Sequence, residues 1–209
     1  MATASEAGAD LDRDIIYVTA TKREQTLQDT PIAVSVVTAE TLDRAEIRDI
    51  IDLQSVVPSL QVGQGASTIS TAFSIRGFGS SSNNAGIEPS VGVFIDGVYR
   101  SRPAAALSDF LNIERVEVLR GPQSTLFGKN ASVGVVSFVT KAPEFDFGGS
   151  GAITYGNNNN VRVEGNVTGP INDKVAFRLA ASYNRADGYV ESLSGGEDIN
   201  DRNRWAVQG

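Results

Sequence analysis

The stretch 113–143 reads IERVEVLRGPQSTLFGKNASVGVVSFVTKAP and holds two segments of strand composition, Glu114 to Arg120 and Val133 to Thr140. Both segments are rich in β-branched residues, which favour strands. The pair Gly121-Pro122 ends the first segment, because glycine and proline interrupt regular structure. The stretch therefore predicts two strands of a sheet joined by a polar connection.

Upstream of this stretch, short predicted strands alternate with helical segments. A strand is predicted over Ile32 to Val37, and Thr38 is placed to cap a short helix with Glu40 in its first turn. A second helix is predicted before Pro58, with a packed apolar face. Its face is formed by Ile47, Ile50, Ile51, Leu53, Gln54 and Val57. Strands mixed with helices in this way predict an α+β domain with a mixed sheet.

Two further strand segments are predicted over Phe73 to Arg76 and Val91 to Asp96. Each is close to a loop of unusual amino-acid composition. One loop, Gly77 to Ser90, has almost no residue that fills a core, so it runs over a surface. The other, Tyr99 to Ala106, places two arginines beside an aromatic ring. A phosphate-binding glycine loop is disfavoured because the later residues of that motif are missing. Composition leaves ligand contact and simple solvation of these loops equally open.

Downstream of residue 143 the pattern alternates with a period of two. In Val161 to Thr168 and again in Phe177 to Asn184, one face is apolar or small and the other is mostly polar. Alternating segments of about 10 residues are typical of outer-membrane barrel strands, but a soluble meander with one buried face has the same pattern. The alternation resumes at Trp205 and continues to the last residue, Gly209. We therefore expect this chain to be part of a longer protein.

Composition excludes several classes of function. The chain has 209 residues, 18 basic and 25 acidic, with no cysteine and no histidine. Disulfide frameworks, thiol catalysis and histidine-based catalytic sites are therefore excluded, and an enzyme is a poor first hypothesis. The net charge of −7 argues against a nucleic-acid partner, whose phosphates require clustered lysine and arginine.

Near the N-terminus, a small-residue acidic stretch is followed by DIIYVTA, from Asp14 to Ala20. This β-branched and aromatic run predicts an extended strand. No turn residue follows it, so we expect its backbone groups to lack a local partner. Such a strand suits addition to the sheet edge of another protein, although an ordinary first strand of the domain explains the pattern equally well.

Several blocks in this order resemble TonB-dependent outer-membrane receptors. DIIYVTA resembles a Ton box, and the successive blocks TPIAVSVVTAETL, DLQSVVPSLQV, FSIRGFG, VGVFIDGVYRSR and 113–143 resemble plug-domain motifs. TYGNNNNVRVEGNVTGPINDKVAFRLAASYNRADGY resembles the first barrel strands. One departure is the stretch Ser132 to Val136, which stands where the family more often has Gly-Gly-Ala.

The resemblance implies three regions. They are a flexible tail with the Ton box over 1–30, a plug domain over 31–142, and the first antiparallel strands of a transmembrane β-barrel, incomplete in this chain, over 143–209. The implied function is active uptake of a scarce ligand, most commonly a ferric siderophore, across the outer membrane of a Gram-negative bacterium. Cobalamin, haem and oligosaccharide are the alternative substrates. No enzymatic activity, cofactor or metal site is implied.

The resemblance also implies partners and site residues. TonB, with its inner-membrane energising complex, would pair with Asp14, Ile15, Ile16, Tyr17, Val18, Thr19 and Ala20. The ligand would contact Phe78, Ser80, Ser81, Ser82, Asn83, Asn84, Arg100 and Arg102. The plug would contact the barrel wall through Arg76, Arg115 and Arg120, or pair these arginines internally through Glu114 and Glu117. Outer-membrane lipid would face Val161, Val163, Val167, Phe177, Leu179 and Tyr183, with Arg162, Glu164, Asn166, Arg178, Ser182 and Asn184 facing the lumen.

Two other hypotheses make different demands on the structure. A soluble α+β binding module would have to bury the alternating apolar face against the rest of the chain. A carboxylate-dependent hydrolase would need paired acids in a cleft, for which only Asp96 and Asp109 fall near loops.

Overall fold

A computed structural model describes residues 16–23, 25–64, 71–80, 86–101, 110–188 and 201–209. The chain divides into two compact units. The first unit comprises the described residues within Met1–Leu107 together with Arg115–Val139, and the second comprises those within Ser108–Glu114 and Thr140–Gly209. Within the described part of the chain, no helix has the length and apolar character needed to cross a membrane.

The first part of the chain contains ten short strands and three short helical segments among the described residues. In chain order they are β1 (Tyr17–Val18), β2 (Gln25–Thr26), β3 (Val34–Thr38), α1 (Ala39–Arg44), a 3-10 helix (Asp52–Ser55), β4 (Leu60–Gln64), β5 (Thr71–Ile75), β6 (Phe78–Gly79), β7 (Val91–Ile95), β8 (Val98–Arg100), β9 (Ile113–Arg120), α2 (Ser124–Phe127) and β10 (Gly134–Thr140).

The main sheet has five strands in the order β3-β9-β10-β7-β8. It is mixed, as the sequence predicts, because β10 runs parallel to β7 while β3 is antiparallel to β9 and β8 is antiparallel to β7. The β7–β8 hairpin turns at Asp96 and Gly97, whose positive φ angles of 49° and 76° suit this tight turn. A second sheet has the order β4-β5-β6, and β1 pairs with β2 alone.

The core of the first unit lies around the two interior strands β9 and β10. Val116, Val118 and Leu119 are fully buried, together with Val135 and Val136 of β10. A strand with a neighbour on either side and both faces covered carries a continuous buried run rather than an alternating one. This position also buries a charged residue of β9, Glu117, completely.

The two predicted helices had different outcomes. Helix α1 forms as predicted, with Thr38 at its N-cap accepting a hydrogen bond from the Thr41 backbone N–H. The second prediction was wrong in its secondary structure, since only the 3-10 helix Asp52–Ser55 forms there. The Asp49 carboxylate accepts from the backbone N–H groups of Ile51 and Asp52, which favours a turn over a continuous helix. The apolar residues of this segment nevertheless pack as predicted, with Ile50 and Leu53 fully buried.

The second unit is built on four antiparallel strands in sequence order. They are β11 (Gly148–Gly156), β12 (Asn160–Asn172), β13 (Val175–Ala186) and β14 (Arg202–Gln208). The register confirms the predicted faces, because Val163 lies opposite Tyr183 while Arg162 lies opposite Asn184. Since side chains alternate along a strand, each cross-strand pair shares one face of the sheet.

The apolar face of this sheet is the exposed one. Tyr155 is 73% exposed and Trp205 is 77% exposed, whereas Arg162 on the opposite face is 5% exposed. Other exposed apolar side chains on these strands are Ile153, Val163, Ile171, Val175, Leu179, Tyr183 and Val207. A soluble meander would bury this face on a core, so the exposure argues against the soluble-module hypothesis.

Candidate functional site

The segment that resembles a Ton box forms one arm of a small hairpin. Tyr17 pairs with Thr26 and Val18 with Gln25, while the Leu27 backbone N–H donates to the Ile16 carbonyl at 2.8 Å. Lys22 allows the reversal by adopting a positive φ of 59°. The expectation that this strand lacks a local partner was therefore wrong. Asp14 and Ile15 lie outside the described residues.

Two side chains of the same segment are part of the hydrophobic core. Val18 and Ala20 are fully buried and cluster with Phe94, Leu119 and Val135. The ring of Tyr17, which precedes Val18, is 48% exposed. Burial of alternate side chains gives the segment a hydrophobic anchor in addition to the two-residue β pairing.

Thr19 is bound by a buried carboxylate of the interior strand β9. Its backbone N–H donates to both Glu117 oxygens, at 2.9 Å to Oε1 and 3.1 Å to Oε2, and its hydroxyl donates to Oε1 at 3.1 Å. The Arg115 Nε donates to the same Oε1 at 2.8 Å, with 11% of the arginine side chain exposed. Four donor contacts and a paired cation thus compensate the buried charge of Glu117.

The contact between Thr19 and Glu117 was not predicted from the sequence. The two residues are 98 positions apart, and no local motif signals that separation. The predicted internal pairing of Arg115 through Glu117 is confirmed by their ion pair.

The other two arginines proposed for barrel contact lie at strand ends. Arg76 follows β5 with a φ of 55°, and its backbone N–H donates to the Ser59 carbonyl at 2.8 Å. Arg120 ends β9 and donates to the Ala33 carbonyl from its backbone N–H at 2.9 Å and from its Nε at 3.5 Å. Contact of Arg76, Arg115 and Arg120 with a barrel wall stays a prediction.

Described residues that flank the predicted ligand loops, Ser80, Ser90 and Arg100, lie at one end of the main sheet. Phe78 in β6 is 72% exposed. Ser80 instead closes the base of its loop, since its hydroxyl accepts from the Ser90 backbone N–H at 2.9 Å and contacts the Glu88 carbonyl at 2.9 Å. Ser90 directly precedes β7, and the exposed Arg100 lies opposite Val93 at the end of β8. Ser81, Ser82, Asn83, Asn84 and Arg102 lie outside the described residues, as does Asp109.

A polar group beside these loops was not predicted from the sequence. The Lys129 ammonium lies 2.6 Å from Glu88, and the Asn130 side-chain amide donates to the Tyr99 hydroxyl at 2.7 Å. The hydrogen bond from Lys129, and then its charge, lower the pKa of the Glu88 carboxyl, and the pKa of Lys129 is raised in return. Because the Glu88 pKa is lowered, the pair persists at neutral pH and is lost as the pH falls through that lowered value.

Comparison with known proteins identifies the family. The family described as TonB-dependent Receptor Plug Domain matches residues 26–135, more than half of the chain. The chain belongs to this family. Its mixed sheet and its antiparallel strands therefore correspond to a plug domain and to the strands that follow it in TonB-dependent receptors.

Two relatives of this plug-family chain are a siderophore receptor and an iron-regulated outer membrane protein. The chain is 30% identical over 172 residues to the ferrioxamine B receptor of Salmonella typhimurium, covering 79% of this chain and 24% of that protein. It is 30% identical over 193 residues to the iron-regulated outer membrane virulence protein of Vibrio cholerae. This match covers 83% of this chain and 28% of that protein. The chain thus spans about a quarter of the length of these relatives.

Solved receptors share the fold of this plug-family chain. The ferric yersiniabactin uptake receptor of Yersinia pestis matches with a TM-score of 0.68 at 28% identity, over 84% of this chain and 27% of that one. The ferripyoverdine receptor of Pseudomonas aeruginosa matches with a TM-score of 0.70 at 26% identity. This match covers 84% of this chain and 23% of that one.

Proposed function

We propose that this chain belongs to an outer-membrane receptor that takes up a ferric siderophore in a TonB-dependent manner. The observation that carries the proposal is the combination, in one chain, of a plug domain with antiparallel strands whose apolar face is exposed. The relatives named above for ferrioxamine B and ferric yersiniabactin support the siderophore class. The protein would reside in the outer membrane of a Gram-negative bacterium, act as a transporter rather than an enzyme, and need no cofactor.

In this proposal the two ends of the plug have different partners. Ligand binds outside the cell to the loops around Phe78, Ser80–Asn84, Arg100 and Arg102. TonB, driven by the inner-membrane energising complex, pairs with the segment Asp14–Ala20 from the periplasm. β-Strand addition suits this segment because main-chain hydrogen bonds supply the affinity once it leaves its hairpin.

The TonB assignment is tested by proline substitution in the full-length receptor. Tyr17→Pro removes a backbone donor and fixes φ, so uptake of iron-55 siderophore in receptor-deleted cells should be lost while ligand affinity stays unchanged. Tyr17→Ala is the matched control, because it removes the same half-exposed ring and keeps the backbone donor. Normal uptake by the proline variant contradicts the assignment.

The substrate class is tested on the same cells with a competition panel. Ferric hydroxamates and catecholates should block uptake, and cobalamin, haem and oligosaccharides should leave it unchanged.

The paired substitution of Arg100 and Arg102 by alanine should weaken binding of an anionic ferric chelate at least about tenfold, because charge-assisted hydrogen bonds to two guanidinium groups are lost. Unaltered affinity for a chelate known to be anionic contradicts the charge argument.

A further inference from the structure

We propose that Glu117 is the retaining group that keeps the TonB-binding segment docked in the plug, and so sets how often TonB finds it. This inference rests on the proposed function, because it takes the segment around Tyr17–Ala20 to be what TonB binds. It adds a positioning role for one residue that lies 98 positions away in the chain from its contact, Thr19.

Most of the hydrogen bonds that the Glu117 carboxylate accepts come from the TonB-binding segment. Among the described residues, three of its four donor contacts come from Thr19, through the backbone N–H and the hydroxyl. The fourth comes from Arg115, which orients the carboxylate from the same strand. Because Glu117 is fully buried, loss of Thr19 would leave Oε2 without its donor and Oε1 with the Arg115 Nε alone among the contacts described above. The docked arrangement is favoured for that reason.

Docking and TonB pairing compete for the same backbone. In the docked state, Tyr17 and Val18 are paired with β2, and the Thr19 backbone N–H is held by Glu117. A TonB strand needs these same donors and acceptors, so it binds only the released segment. The apparent affinity for TonB therefore scales with the released fraction, which Glu117 keeps small.

The position of Glu117 also determines which strand of the main sheet receives a force applied to the segment. Glu117 lies in β9, which has β3 on one side and β10 on the other in the main sheet. Tension on Thr19 is thus transmitted to an interior strand of this sheet rather than to an edge strand. The segment can move independently of the sheet only after the contact between Thr19 and Glu117 breaks.

The test uses the full-length receptor in outer-membrane vesicles, without TonB or ligand. Val18→Cys places a thiol at a fully buried position of the segment, so its labelling by a small maleimide reports release. Glu117→Gln should raise the labelling rate at least about tenfold, because the amide NH₂ group must face either Thr19 or Arg115, both of which are donors. Thr19→Val removes only the hydroxyl contact and should give a smaller increase, while Thr19→Ser should leave the rate unchanged.

Two controls separate release of the segment from general loosening. Glu114→Gln removes an exposed acidic charge from the same strand and should not alter labelling at Val18→Cys. A thiol placed by Val136→Cys, at a buried site in β10, should stay protected in the Glu117→Gln background. Unchanged labelling at position 18 in Glu117→Gln overturns the proposal. Equal exposure at position 136 also overturns it, since Glu117 would then merely support the plug.

A second measurement distinguishes failure of this inference from failure of the TonB assignment. The purified periplasmic domain of TonB should bind the Glu117→Gln receptor at least about tenfold more tightly than the unaltered one, in proportion to the released fraction. If labelling rises but TonB binding does not, the retaining role of Glu117 stands for the segment and its assignment as the TonB site is refuted.

Discussion

At the scale of single residues, Gly134 shows how closely the strands of the plug approach each other. A Cβ at this position would lie 2.6 Å from the Ile75 Cδ1 atom and would also meet the Leu119 carbonyl oxygen. The close approach of the Leu119 carbonyl oxygen of β9 requires a glycine at this position. Gly134→Ala should destabilise the plug by about 1–3 kcal/mol, because the Leu119 carbonyl oxygen belongs to the backbone of β9 and cannot move away without shifting that strand.

Hydrogen exchange of the β10 amides in the purified full-length receptor measures this effect. Gly151→Ala is the control, since a Cβ at that strand position would have its nearest neighbour, the Glu164 carbonyl oxygen, at 3.7 Å. Equal protection of β10 in the two variants would show that the sheet relaxes around the added methyl group.

At the scale of secondary structure elements, Arg178 of β13 holds the segment that precedes β11. Its Nε donates to the Ala142 carbonyl at 2.9 Å, and its guanidinium lies 2.6 Å from Glu144, with 8% of the side chain exposed. Further contacts reach Asn112 at 3.5 Å and Asn166 at 3.4 Å. Arg178→Met keeps the aliphatic stem but removes every donor, so residues 141–144 should loosen by about 1–3 kcal/mol.

Limited proteolysis of the full-length receptor checks this prediction, with faster cleavage expected between residues 141 and 144. Arg185→Met is the matched control, because Arg185 is an exposed arginine on the same strand. If both variants are cleaved at the same rate as the unaltered receptor, Arg178 does not hold the segment.

Elements with a regular period were predictable from the sequence, and contacts between distant elements were not. The alternation over Val161 to Thr168 was sufficient to predict β12 and its faces, because a strand permits no other period. The β1–β2 hairpin was missed because its turn contains no glycine, proline or asparagine and relies on Lys22 at a φ of 59°. The binding of Thr19 by Glu117 depends on the tertiary fold, so no local pattern carries it.

At the scale of the whole molecule, the length of β12 determines which turns lie on the same side of a membrane. The strand has 13 residues, which at about 3.3 Å per residue span about 43 Å along the strand. Tilted by about 45°, this length crosses the hydrocarbon core of about 30 Å. The turn at 157–159 and the turn at Asp173 therefore lie in opposite aqueous compartments if the strands form the wall of a barrel.

The direction of the first strand assigns each turn to its compartment. If these strands form a barrel wall as proposed and the chain enters the first of them from the periplasmic side, β11 runs outward, so Asn159 is expected to reach the cell exterior and Asp173 the periplasm. An impermeant thiol reagent on intact cells should therefore label the full-length receptor carrying Asn159→Cys and spare the one carrying Asp173→Cys. Both thiols should react after the cells are permeabilised, which controls for access. The opposite pattern in intact cells would mean that the chain crosses the membrane in the reverse direction.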